Sequence, residues 1–130
     1  MVIADLHIHS KYSRATSRDC DLHHLDLWAR RKGIHLLGTG DFTHPAWRGE
    51  MEELLVPTGD GFYTLKDSAR MEDETAGESI QPRFVVSGEI SSIYKKNGKT
   101  RKVHNVILLP GLEEAKALSD KLEACLLYTS

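Results

Sequence analysis

Cysteine is scarce in this chain, and so is any long apolar run. Only Cys20 and Cys125 occur among 130 residues. They form no C-x-x-C pair, which argues against a disulfide framework and a thiolate zinc site. A reducing cytoplasm is the expected compartment. No stretch approaches the roughly 20 apolar residues that span a bilayer. Met1-Val2-Ile3-Ala4-Asp5 lacks the basic and then apolar pattern of a secretory leader, so neither secretion nor a membrane partner is expected. Charge of one sign is lacking too. Against 19 Asp and Glu stand 17 Lys and Arg, a formal net charge of −2. No global basic field steers such a chain to nucleic acid, and any polyanion must be held locally. Repeats and low-complexity tracts are absent. What is present, 40% hydrophobic and 28% charged residues in 14.6 kDa, is the composition of one soluble globular domain or part of one.

Val2 to His9 reads as a strand, because Ile3, Leu6 and Ile8 are strand formers interrupted by Asp5 and His7. The polar run from Ser10 to Cys20 reads as a functional loop, with Asp19 or Asp21 as the N-cap of a following helix. From Leu22 to Lys32 the apolar residues Leu22, Leu25, Trp28 and Ala29 share a helical face, and Gly33 is the stop. Ile34 to Thr39 suits a buried parallel strand ending at Gly40-Asp41. Residues at about 46–82 read as a partly irregular insertion, with a short helix at Met51–Leu55 and Gly61–Leu65 packing back on the core. Arg83 to Lys96 resumes as strand, Asn97-Gly98 is a strong hairpin signal, and Lys99 to Leu109 returns. After Pro110-Gly111, the residues Leu112, Ala115, Leu118 and Leu122 mark an amphipathic helix. This order predicts an α/β fold with polar residues gathered at strand ends, where barrel enzymes keep their chemistry.

Residues two apart on a strand point to one face, so His7 and His9 present two imidazoles side by side, a geometry that suits one metal ion. Asp5 shares that face and is available to hold a ring N–H or to ligate weakly. The next strand end again pairs carboxylate and imidazole, in Gly40-Asp41-Phe42-Thr43-His44. A third cluster follows in Ser87-Gly88-Glu89, with His104 on the opposing arm of the hairpin and Gly88 allowing close backbone approach. Taken singly, these residues read as a cap, a surface charge and a cross-strand partner. Their recurrence at successive strand ends favours a metal site, and nitrogen and oxygen donors without thiolate suit zinc, manganese or iron.

Asp5-Leu6-His7-Ile8-His9-Ser10, with Gly40-Asp41, Gly88-Glu89 and His104, resembles the first three motifs of the polymerase and histidinol phosphatase (PHP) superfamily of metal-dependent phosphoesterases. The resemblance implies the N-terminal part of a distorted seven-stranded (β/α) barrel carrying two or three divalent metals (Zn, Mn or Fe). By it, His7 and His9 bind the first metal, Glu89 bridges the first and second, and His104 binds the second. Asp41 and His44 correspond to the second motif, in which the commoner pattern has His where Phe42 stands. In the loop after the first motif, where many members carry a ligand, this chain has Ser13, Arg14, Ala15 and Thr16, and Arg14 suits phosphate as a planar donor.

The runs Ser10 to Ser17, Gly38 to Pro45 and Ser87 to Tyr94 resemble the endonuclease Q branch, which implies a DNA partner and nicking 5′ to deaminated bases. The local basic cluster from Tyr94 to Lys102 fits that role. A small-molecule phosphomonoesterase of histidinol phosphatase type stands as an alternative, as does a non-catalytic PHP module of a larger nucleic-acid enzyme. The superfamily's later ligands have no counterpart after His104. Residues 1–124 are therefore expected to be part of a PHP domain that is inactive alone, and 125–130 a non-native tail.

Overall fold

The computed structural model describes residues 1–73 and 80–129, with side chains as far as Cys125. Its framework is a mixed sheet with helices. Strand β1 (Ala4–Asp5) lies parallel to β2 (Leu36–Gly38), and β2 lies parallel to the start of β5 (Arg83–Lys96). On the other side of β5, β4 (Tyr63–Leu65) pairs antiparallel, followed by β3 (Leu55–Pro57). From Val86 onward β5 pairs instead with β6 (Lys99–Leu109), antiparallel along its whole remaining length. β5 is thus the strand that carries the sheet and also builds the hairpin. The hairpin bounds are those expected from Asn97-Gly98. Both turn residues have positive φ, 53° and 75°, as a tight two-residue turn between twisted strands requires.

Helix α1 (Leu22–Lys32) is held at both ends by local chemistry. Asp21 Oδ1 accepts from the His24 backbone N–H at 2.8 Å, and Gly33 takes the left-handed conformation that terminates the helix. The buried face differs from the expected one. Leu22 and Ala29 are buried and Leu25 packs at the margin, but Trp28 is 49% exposed, beneath the cations of Arg31 and Lys32. Asp26 takes a buried position instead, bonded at 3.0 Å to Arg30 Nε, while Arg30 Nη2 donates to the Met71 carbonyl. Burial raises the Asp26 carboxyl pKa despite Arg30.

The first strand is also shorter than expected. Only Ala4 and Asp5 join the ladder, anchored by Ile3 N–H donating to His35 Nδ1 at 3.0 Å. Residues 46–82 contain most of helix α2 (Pro45–Leu54), strands β3 and β4, and a 3-10 turn at Asp67–Ala69; residues 74–79 lie outside the described set. The helix expected at Met51–Leu55 therefore starts earlier, with Pro45 in its first turn, and Leu55 already belongs to β3. The core lies between the sheet and the helices, with Phe42, Trp47, Met51, Leu65, Phe84 and Val86 at its centre. Helix α3 (Leu112–Thr129) covers it through Ala115. The expected tail at 125–130 falls on the end of α3, and the side chains of 126–130 lie outside the described residues. No described helix is long and apolar enough to cross a membrane.

Candidate metal centre

Past Asp5 the chain leaves the ladder, and residues 6–9 run across the two glycines of Gly38-Thr39-Gly40. A Cβ at Gly38 would stand 2.5 Å from the Leu6 carbonyl oxygen; at Gly40 it would stand 2.3 Å from that of Ile8. Gly40 also has φ of +66°, where a side chain is strained whatever the space. The absence of both side chains lets the His7–His9 segment lie this close. The two imidazoles then sit edge to face, centroids 5.5 Å apart. Asp5 is exposed, and no hydrogen bond joins it to either ring.

Glu89 meets these rings from the hairpin. It pairs with Val106 and Ser91 with His104, so Glu89, Ser91 and His104 occupy one face of the two-stranded ladder. Glu89 Oε2 lies 2.6 Å from His7 Nε2 and 3.5 Å from His9 Nε2. Its other oxygen, Oε1, lies 2.6 Å from His104 Nδ1. One carboxylate therefore has a histidine pair at one oxygen and a third histidine at the other. Among the described residues, His7, His9 and Glu89 form a group whose ligand atoms lie within 4.8 Å of one another. The hydrogen bond from His7, helped by that from His104, holds the Glu89 carboxyl below its ordinary value, so it stays anionic. The Glu89 side chain is 20% exposed but the imidazoles of His7, His9 and His104 are 54%, 45% and 58% exposed, so a solute reaches the cluster from the ring side.

Asp41 stands behind His9. Its Oδ2 accepts from Ser10 N–H at 2.8 Å, Ser10 Oγ at 2.6 Å and Ser13 Oγ at 2.8 Å, while Oδ1 is 3.6 Å from His9 Nδ1. Burial pushes this carboxyl up, but the bonds from Ser10 and Ser13 outweigh it and hold the group low. Ser13 Oγ also lies 3.4 Å from His9 Nδ1. His44 is elsewhere: its ring stacks on Tyr12 at 4.3 Å and its Nδ1 is buried without a hydrogen-bond partner. The loop carrying Asp41 and His44 is fixed through its carbonyls. Trp47 Nε1 donates to Gly40 O at 3.0 Å and Thr39 O at 3.2 Å, and Arg48 Nη1 donates to Phe42 O at 2.9 Å.

Gly88 makes room for a side chain, whereas the expectation was a backbone. A Cβ there would stand 2.4 Å from the ring of Phe42, which is buried. Arg14 is exposed, and its guanidinium makes no hydrogen bond or ion pair among the described residues. Sequence reasoning brought forward the four residues that converge here, His7, His9, Glu89 and His104. It did not identify Ser10 and Ser13 as the donors to Asp41, nor Glu50, which binds Lys11 at 2.6 Å. Two small hydroxyl residues within four positions of a His-x-His pair were the available signal.

No family model matches the chain. Over 49 residues, 38% of this chain and 6% of the relative, it is 41% identical to an uncharacterised protein of Methanocaldococcus jannaschii. It is similar to a lesion-specific endonuclease from Pyrococcus furiosus, with a TM-score of 0.68, 26% identity, and cover of 95% of this chain and 26% of that one. It is also similar to endonuclease Q in complex with a 27-mer duplex substrate that has an abasic lesion at the active site, with a TM-score of 0.66, 27% identity, and cover of 92% and 25%. The chain spans about a quarter of the length of these structures, and over that span its fold is endonuclease Q-like.

Proposed function

We propose that this chain forms the metal-binding part of a PHP-superfamily phosphoesterase that nicks lesion-bearing duplex DNA, its sheet being the N-terminal part of the distorted barrel. One observation carries the reading: the Glu89 carboxylate is approached by His7 and His9 at one oxygen and by His104 at the other. A carboxylate so flanked is the bridge a two-metal site needs, and a donor set of imidazole and carboxylate suits zinc, manganese or iron. His7 and His9 would hold one ion, His104 the other, and Glu89 both. His44, the other second-motif residue, would reach a third ion only by leaving its stack on Tyr12, where its Nδ1 is buried without a partner. Asp41 engages Ser10 and Ser13 with one oxygen and supports His9 with the other.

Bound divalent ions supply Lewis acidity toward the phosphate oxygens and toward water. The chain's own residues do the remaining work. Glu89 stays deprotonated and shared, Asp41 sets a negative charge 3.6 Å from His9 Nδ1, and the unpaired guanidinium of Arg14 neutralises phosphate as a planar, two-point donor. The duplex and the lesion as substrate rest on the likeness to endonuclease Q.

The test is metal analysis of the full-length protein, together with nicking of duplexes that contain an abasic site, uracil or hypoxanthine. His9→Ala and Glu89→Ala should each lose more than about 100-fold, since removal of mere supporting partners of a ligand already costs 10- to 100-fold. Undiminished nicking by both variants would refute the assignment. Preferential turnover of phosphomonoesters would favour the histidinol phosphatase type, and absence of any bound transition metal would favour a non-catalytic module.

A further inference from the structure

Beyond Ser91 on β5 and before His104 on β6, every residue of the hairpin is exposed, so residues 91–104 project as a free two-stranded arm. The arm has an unusual charge distribution for a chain with a net charge of −2. Between Glu89 and Glu113 there is no carboxylate, whereas Lys95, Lys96, Lys99, Arg101 and Lys102 all lie there. None of these five cations makes an ion pair among the described residues.

The strand register sorts these cations by face. Glu89 pairs with Val106, Ser91 with His104, Ile93 with Lys102, and Lys95 with Thr100. Paired residues share a face and successive residues alternate, so Lys102 and Lys95 continue the face that bears Glu89 and His104. The intervening pairs, Tyr94 with Arg101 and Lys96 with Lys99, belong to the reverse face. At the strand rise, Lys102 follows His104 by about 7 Å and Lys95 follows Ser91 by about 13 Å. Phosphates of one DNA strand advance by about 3.4 Å along the duplex axis, so cations spaced in this way meet different phosphates.

We propose that the arm is a one-sided clamp for the DNA backbone: Lys102 and Lys95 hold two successive phosphates on the hairpin-tip side of the one at the Glu89–His104 cluster, and Arg101, Lys96 and Lys99 on the reverse face hold none. The proposal rests on the DNA-nicking reading above and adds which phosphates are held and by which face. A polymer laid on the metal-bearing face meets Lys102 directly. The reverse-face cations are separated from it by the ribbon itself, at a range where physiological salt, with a Debye length of about 8 Å, screens them.

The experiment compares two charge-matched double variants of the full-length protein, Lys95→Ala/Lys102→Ala and Lys96→Ala/Arg101→Ala. All four positions are exposed, where substitutions usually leave stability within about 0.5 kcal/mol. Binding of a fluorescent abasic duplex is followed by anisotropy across a salt series, with metal chelated so that the arm is read without the cluster. Each phosphate contact contributes about 0.9 to the slope of log K against log salt. The metal-face variant should therefore lose about 1.8 from the wild-type slope magnitude, and the reverse-face variant should keep it. Equal losses in both variants, no loss in either, or a loss confined to the reverse face would each overturn the clamp. If the wild-type protein binds no DNA in the chelated assay, the clamp falls; if it binds none with its metal restored either, the nicking reading falls too. If it binds but depends on the wrong face, only the clamp falls.

Discussion

Gly40→Ala offers a sharp test of how the histidine pair is positioned. The added Cβ would stand 2.3 Å from the Ile8 carbonyl oxygen, whereas real Cβ contacts essentially never fall under 3.0 Å. Ile8 lies between the two histidines, so its carbonyl must retreat by at least about 0.7 Å and carry His7 and His9 with it. Metal and catalytic constellations tolerate about 0.5 Å, and a misplacement of about 1 Å costs on the order of 100-fold. The expected result is a 10- to 100-fold loss of zinc affinity, measured by competition with a chromophoric chelator. The positive φ adds roughly 1–2 kcal/mol of destabilisation, read from urea unfolding of the metal-free protein.

Two companions separate the causes. Gly38→Ala meets the Leu6 carbonyl at 2.5 Å without the backbone strain, so it should weaken metal binding with a smaller loss of stability. Gly49→Ala lies inside α2 with nothing within 4 Å of its Cβ, and should stabilise by about 0.5–1 kcal/mol while leaving zinc affinity alone. Wild-type zinc affinity in Gly40→Ala would refute the claim that close backbone approach sets the ligand pair.

Asp41→Ala leaves the Ser10 N–H and two hydroxyls without their acceptor, and should cost about 1–3 kcal/mol in urea unfolding, with a 10- to 100-fold loss of metal affinity through His9. Asp21→Ala removes the N-cap of α1 and should cost about 0.5–2 kcal/mol at neutral pH. Burial raises the Asp21 carboxyl, but its hydrogen bonds from the His24 backbone and ring prevail and hold it below the ordinary 3.8. The stabilisation is accordingly full above that value and lost as pH falls through the lower folded-state value, so the Tm gap between wild type and variant should close in acid. A gap that persists at low pH would refute this. Trp47→Phe removes the buried donor to the Thr39 and Gly40 carbonyls and should lower stability by about 1–3 kcal/mol by urea unfolding, a neutral result excluding a role for that N–H.

Local chemistry was legible wherever a few adjacent residues decide the outcome. Asp21 and Gly33 bracket α1 because a side-chain acceptor and a left-handed residue satisfy helix ends with no distant help. Asn97-Gly98 announced the hairpin, and its register then carried Glu89 and His104 to one face. His7, His9, Glu89 and His104 were selected as chemistry-bearing residues from their types and spacing, and they converge in the fold. The buried Asp26–Arg30 pair was not legible, because apolar periodicity places Trp28 inward and cannot see that cations of Arg31 and Lys32 cover that ring at the surface. Residues 46–82, read as partly irregular, supply strands β3 and β4 to the sheet, whose short apolar runs carry little periodic signal before a partner strand exists.

By itself, then, the sequence determined the local ends and turns of the fold and singled out the three histidines and the carboxylate, His7, His9, His104 and Glu89, that the fold brings together. The tertiary structure decided how they are used: which oxygen of Glu89 meets which ring, that Asp41 is engaged by Ser10 and Ser13, that His44 stacks on Tyr12, and that Gly38 and Gly40 set the position of the His7–His9 segment. The physical reason is that residue type and spacing express only short-range preferences. A shared carboxylate or a missing Cβ acquires its meaning from groups dozens of residues away, which come within reach only when β1, β2 and β5 pack side by side.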